Sequence, residues 1–220
     1  MKRARAQRMF LPILLCGTLA WTSCSTNWIG EAEKIINVLI PAAANVMTLV
    51  ATLQGDVPVA DLQMAQNIGS EVNADLQLLQ SLIGQYQKAT PSLQPGLSTQ
   101  IQAALDSVQS ELNALLPALH IKDAATQEKV NALVGIVLSE VQSMAAIVPA
   151  VTGTESSVTL KEAAKPGTRR IPLSANDFVS LYDAAMARKT GNTKLDHETS
   201  GLQIHGHRKL VRLASAGLLN

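Results

Sequence analysis

Few side chains in this sequence are of the kinds that do chemistry, and their positions limit what they can do. The two cysteines, Cys16 and Cys24, both fall within the first 24 residues. A thiol there offers a nucleophile or an acyl acceptor, but no disulfide can form beyond residue 24, so a disulfide framework is excluded. Three histidines cluster near the far end, His197, His205 and His207, beside Asp196 and Glu198. These groups can ligate a metal, yet a His-Gly-His pair lacks the spacing of zinc motifs and the rigid surroundings that orient a ligand, so no metal and no cofactor is expected. His120 stands alone where a third helix should end, near the negative end of that helix's dipole. No Gly-rich phosphate loop, His-Glu-x-x-His or G-x-S-x-G elbow occurs, and the acidic residues are scattered along what read as exposed helix edges. The expectation is a chain that is not an enzyme.

Charge and aromatic content narrow the partners. Residues 26–150 hold four basic and eleven acidic side chains, whereas residues 151–220 hold ten basic and six acidic. An acidic middle repels nucleic acid and anionic membrane, leaving the tail as the electrostatic contact point. Of six aromatic residues, Phe10 and Trp21 precede Cys24, and the remaining Trp28, Tyr86, Phe178 and Tyr182 are too few for a stacking platform. No nucleic-acid partner is expected. A core of Leu, Val, Ile and Ala with so few rings reads as packed helices.

Those helices are visible as apolar residues at steps of three and four, the spacing of one face at 3.6 residues per turn. The first set runs Ile29, Ala32, Ile36, Leu39 or Ile40, Ala43, Met47, Val50, Leu53, and the second Leu62, Ala65, Ile68, Val72, Leu76, Leu79, Ile83, Tyr86. The third runs Leu97, Ile101, Ala104, Val108, Leu112, Leu115, Leu119, and the fourth Val130, Leu133 or Val134, Val137, Val141, Met144, Val148. Gly55-Asp56-Val57-Pro58, Thr90-Pro91-Ser92 with Pro95-Gly96, and Pro117 separate them, and Asp123 or Thr126 can cap the fourth. Rods of similar length on short connections predict an all-α fold, an antiparallel four-helix bundle over residues 24–150. Residues 35–53 contain no charge, long enough for a membrane span. Asn37, Pro41, Asn45, Thr48 and Thr52 nevertheless draw a polar stripe along them, which predicts a bundle helix with that stripe toward water.

The N-terminus reads as an address. Lys2, Arg3, Arg5 and Arg8 precede an uncharged apolar run of about a dozen residues, too short to span a bilayer comfortably, and small polar residues follow. This order predicts a secretory signal peptide over residues 1–23. Leu19-Ala20-Trp21-Thr22-Ser23-Cys24 resembles the lipobox of bacterial lipoproteins, with Trp21 where that family usually has an aliphatic residue. The resemblance implies that Cys24 is the lipid attachment site and the new N-terminus, two acyl chains anchoring the chain to a membrane facing the periplasm. Ser25 after the cysteine is compatible with outer-membrane sorting. The alternative is cleavage by an ordinary signal peptidase near Ala20 or Cys24, which gives a secreted soluble form.

Residues 151–220 read as a linker and a basic, partly disordered C-terminal tail with one or two short helices. Ser174-Ala175-Asn176-Asp177 forms a capping box into Phe178, Leu181, Tyr182, Ala185 and Met186. Residues 189–207 read as polar and mobile, and residues 207–219 as a small basic amphipathic helix. Ser70-Glu71-Val72-Asn73, Ser110-Glu111-Leu112-Asn113 and Ser139-Glu140-Val141-Gln142 read as exposed edges, and the Gln/Ser-rich faces suit a protein partner or self-association. Together these features predict a non-catalytic cell-envelope lipoprotein acting as a helical scaffold or interaction module. The alternative is an integral membrane protein spanning at residues 35–53 and forming a pore or membrane complex.

Overall fold

A computed structural model describes residues 27–149 and 173–204 of the chain. The proposed leader over residues 1–23, Cys24, the linker over residues 151–172, His205, His207 and the segment 207–219 lie outside the described residues. Four long helices form the body: α1 (Asn27–Thr52), α2 (Val59–Lys88), α3 (Gln94–Ala118) and α4 (Ala124–Ile147). At 26, 30, 25 and 24 residues they match in length, and five- or six-residue connections oblige successive helices to run antiparallel. Around the square, α1 packs on α2, α2 on α3, α3 on α4 and α4 on α1. The expected bundle is the observed one.

The ends follow from local chemistry. Leu53 closes α1 in a turn whose Gly55 has φ 97°, a conformation that a side chain would strain. Pro95 and Gly96 do not interrupt the chain before α3 but sit in its first turn, where a missing proline N–H costs nothing. Asp123 caps α4, its carboxylate accepting from Thr126 N–H at 2.7 Å, and the Thr126 side chain together with that N–H holds the Asp123 carboxyl below its ordinary range. Thr126 is buried inside the helix.

The core is aliphatic. Ile36, Leu39 and Leu49 of α1 meet Leu76, Leu79 and Ile83 of α2, Ile101, Leu105 and Leu115 of α3, and Val134, Val137 and Val141 of α4, all buried in one cluster. At one end Trp28 and Tyr86 meet edge to face with ring centroids 4.9 Å apart, fastening the start of α1 to the end of α2. Gly69 lies on the buried face of α2 directly against the Met47 side chain, which occupies the space a Cβ would take. Gly69→Leu forces the two helices apart and lowers stability by about 1–3 kcal/mol. In a Met47→Ala background, Gly69→Ala reverses sign and gains up to about 1 kcal/mol of helix propensity. Urea unfolding midpoints of the single and double variants check both.

Two further helices, α5 (Ala175–Met186) and α6 (Thr193–Thr199), lie outside the square, α5 against α4 and α1 and α6 against α1. α5 begins as the capping box predicts: Ser174 Oγ accepts from Asp177 N–H at 3.2 Å and donates to Asp177 Oδ2 at 2.7 Å. α6 corrects the reading of residues 189–207 as polar and mobile. Asn192 caps it by accepting from Leu195 N–H, Asp196 accepts from the backbone of Thr190 and Gly191, and Leu195, Thr199 and Ile204 are buried. These are side chain–backbone bonds at short range, invisible to apolar periodicity.

α1 (over Trp28–Thr52) and α4 are each long and apolar enough to cross a membrane, by length and composition, with mean hydropathy 1.8 and 1.6. In the fold 56% of the α1 window is buried against other helices. The polar stripe on α1 is not uniformly wet. Asn37 and Thr48 are exposed, but Asn45 is buried because its amide donates to Leu202 O at 2.6 Å.

Candidate functional site

Among the described residues, the places where the sequence offered chemistry do not come together. His197 is exposed on α6, and among the described residues no three His, Cys, Asp or Glu side chains converge. His120 lies two residues past the end of α3, where its Nδ1 sits 2.9 Å from Asp61 Oδ2 in the first turn of α2. This pair ties two bundle corners on the surface and contributes little to stability. Between the four helices lies a small hollow lined by Ala43, Val46, Met47, Val72, Leu112, Leu115, Val134 and Val137, apolar throughout.

The polar chemistry lies instead on one flank of α4. Lys129, Ile136, Glu140, Ser143 and Ile147 recur at steps of seven, four, three and four, a second stripe beside the core face. α5 and α6 cover this stripe together with the neighbouring flank of α1. Phe178 and Tyr182 stack at 5.8 Å and are fully buried, and Tyr182 OH donates to Ala42 O at 3.0 Å. Leu173 N–H donates to Ser143 Oγ at 3.1 Å, and Ile204 N–H to the Asp183 carboxylate at 2.7 Å.

Glu140 is 0% exposed, and neither of its carboxylate oxygens has a hydrogen-bond partner among the described residues. Burial raises its pKa to about 7, and the nearby Asp177 carboxylate on α5 adds to the rise. Three turns earlier Lys129, 3% exposed, donates from Nζ to Thr199 Oγ1 at 2.9 Å. Burial holds its ammonium below the ordinary lysine range, partly offset by the Asp196 carboxylate. Neither group is in an ion pair among the described residues. Lys129→Met keeps the stem and deletes the buried charge, so it raises stability at pH 7 by about 1 kcal/mol, read from the urea midpoint.

This arrangement corrects the reading of the acidic residues as lying on exposed edges at two positions, Glu140 and Glu111. Ser139-Glu140-Val141-Gln142 carries a fully buried carboxylate, and Glu111 in the sister phrase is half-buried, its pKa raised by burial and by Asp75. Two isoleucines, Ile136 and Ile147, in register with Lys129 and Glu140 were the available signal, since apolar residues on a second stripe mark a face covered from elsewhere. Comparison with protein families, with characterised proteins and with solved structures finds no match to this chain.

Proposed function

We propose that the chain is a non-catalytic lipoprotein of the cell envelope whose bundle serves as a helical scaffold or interaction module. The observation that carries this reading is the distance between Cys24 and the first helix. α1 begins at Asn27, three residues on, so an acylated Cys24 holds the folded body within about 10 Å of the bilayer. That spacing leaves no room for a long stalk and sets the bundle on the membrane surface. The outward faces support the second half of the reading. Gln63, Gln66, Gln77, Gln80 and Gln85 are all exposed on α2, a weakly charged amide surface suited to a protein partner or a second copy.

A competing reading makes α1 a true membrane span, favoured by its length and hydropathy. Against it stand the buried Asn45, whose amide is taken up inside the fold, and the companion apolar helix α4 with Lys129 and Glu140 on it. Labelling with a radioactive fatty acid separates the two. The expected result is label on the wild-type chain and none on Cys24→Ala, with the variant released by an alkaline carbonate wash. A Cys24→Ala chain that stays in the membrane through the wash overturns the tether and makes α1 the anchor.

A further inference from the structure

The four long helices already bury one another, so the C-terminal pair covers a flank that carries two charges. Glu140 lies under α5 with both oxygens unsatisfied among the described residues, and Lys129 lies under α6 with one hydroxyl for company. What attaches the pair is a compact set of contacts. Phe178, Val179, Tyr182 and Met186 are buried against α4 and α1, and four hydrogen bonds link the pair to the bundle, from Tyr182 OH, from Leu173 N–H, onto Leu202 O and onto Thr199 Oγ1. We propose that α5–α6 is a proton-controlled clasp, closed over α1 and α4 while Glu140 is neutral and opening as that carboxyl ionises. The inference concerns regulation of a surface and stands apart from the lipoprotein reading.

The electrostatics around Glu140 leave the ionised form without support among the described residues. From α5 the group that acts on it is Asp177, another anion. α1 carries Glu31, Glu33 and Lys34, of which Glu31 and Lys34 pair with each other at 2.7 Å, and α3 carries Asp106 and Glu111; none of these acts on Glu140. On α4 itself Lys129 is three turns away and Glu128 turns outward toward Arg188 at 3.8 Å. The closed form therefore takes up a proton that the open form, with Glu140 in water at its ordinary value of 4.5, gives up above that pH. Closure is unopposed below about pH 4.5, weakens as pH rises to about 7, and weakens no further above it. Opening uncovers Ala42 and Asn45 of α1 with Lys129, Glu140 and Ser143 of α4, a mixed strip absent from the closed surface.

The test is hydrogen exchange with mass spectrometry on the full-length chain in detergent, from pH 4.5 to 8.5, corrected for the intrinsic exchange rate. Protection of α5 relative to α3 should fall by about 100-fold or more across that range in wild type, following the displacement of the carboxyl's titration. In Glu140→Gln, which keeps shape and loses the charge, the ratio should stay flat. Either of two results overturns the proposal: α5 and α3 losing protection in step at every pH, or Glu140→Gln falling as wild type does.

Discussion

Tyr182→Ala should strip α5 of its hold on the bundle, costing about 3–5 kcal/mol of docking free energy, the usual toll for deleting a fully buried ring. Tyr182 is 0% exposed, stacked on Phe178, with its hydroxyl on the carbonyl of Ala42. Its burial raises the phenol above its ordinary value, so it remains a neutral donor across the physiological range. Converted to exchange, the loss is about two to four powers of ten in protection of α5 amides. The helical signal of α1 to α4 should persist, because their core cluster closes without the ring. Tyr182→Phe keeps the ring and removes the donor, and it should cost only about 0.5–1.5 kcal/mol. Equal losses in the two variants would contradict packing as the main source of attachment. No change in either would place the attachment outside α5.

Glu140→Gln should behave like wild type at acid pH and exceed it above neutrality. The sign follows from the direction of the shift. Burial raises the carboxyl from 4.5 to about 7 in the closed fold, so the closed fold binds the proton more tightly and loses stability as pH rises between those values. The difference amounts to roughly 3 kcal/mol by pH 8, and to nothing at pH 4 where both states are protonated. Urea unfolding of both chains at the two pH values measures it. A carbon-13 titration of the glutamate carboxyls supplies an independent check, with one resonance moving at a midpoint near 7 and missing from the variant. Asp177→Asn should lower that midpoint by less than burial raises it, since the anion on α5 is the smaller of the two causes.

The four-helix body was legible because it rests on the most repetitive signal a sequence carries. Steps of three and four from Ile29 to Leu53 and from Leu62 to Tyr86 placed α1 and α2, and the caps at Asp123 and Ser174 placed the starts of α4 and α5. What escaped was the second layer. Periodicity counts apolar residues, so Glu140 was assigned to water and Lys129 drew no notice, although Ile136 and Ile147 lie on their stripe. Asn45 was likewise given to the wet side of α1, because its partner, the carbonyl of Leu202, is 157 residues away and has no signature of its own. α6 has too few apolar residues to announce itself, being held by Asn192, Asp196 and Lys129. Covering a charged flank is a long-range event, and local pattern is blind to it.

The corner where Trp28 meets Tyr86 gives the bundle an optical gauge. Beyond Cys24 the chain contains a single tryptophan, and its indole Nε1 is enclosed without a hydrogen-bond partner among the described residues. A blue-shifted emission band follows from such an enclosure, moving to the red once water reaches the ring. Because the indole is on the second residue of α1, tension applied at the N-terminus separates these two rings before it loosens Leu39 or Leu49. Fluorescence thus reads mechanical load at the point nearest Cys24, while the rest of the fold is still intact.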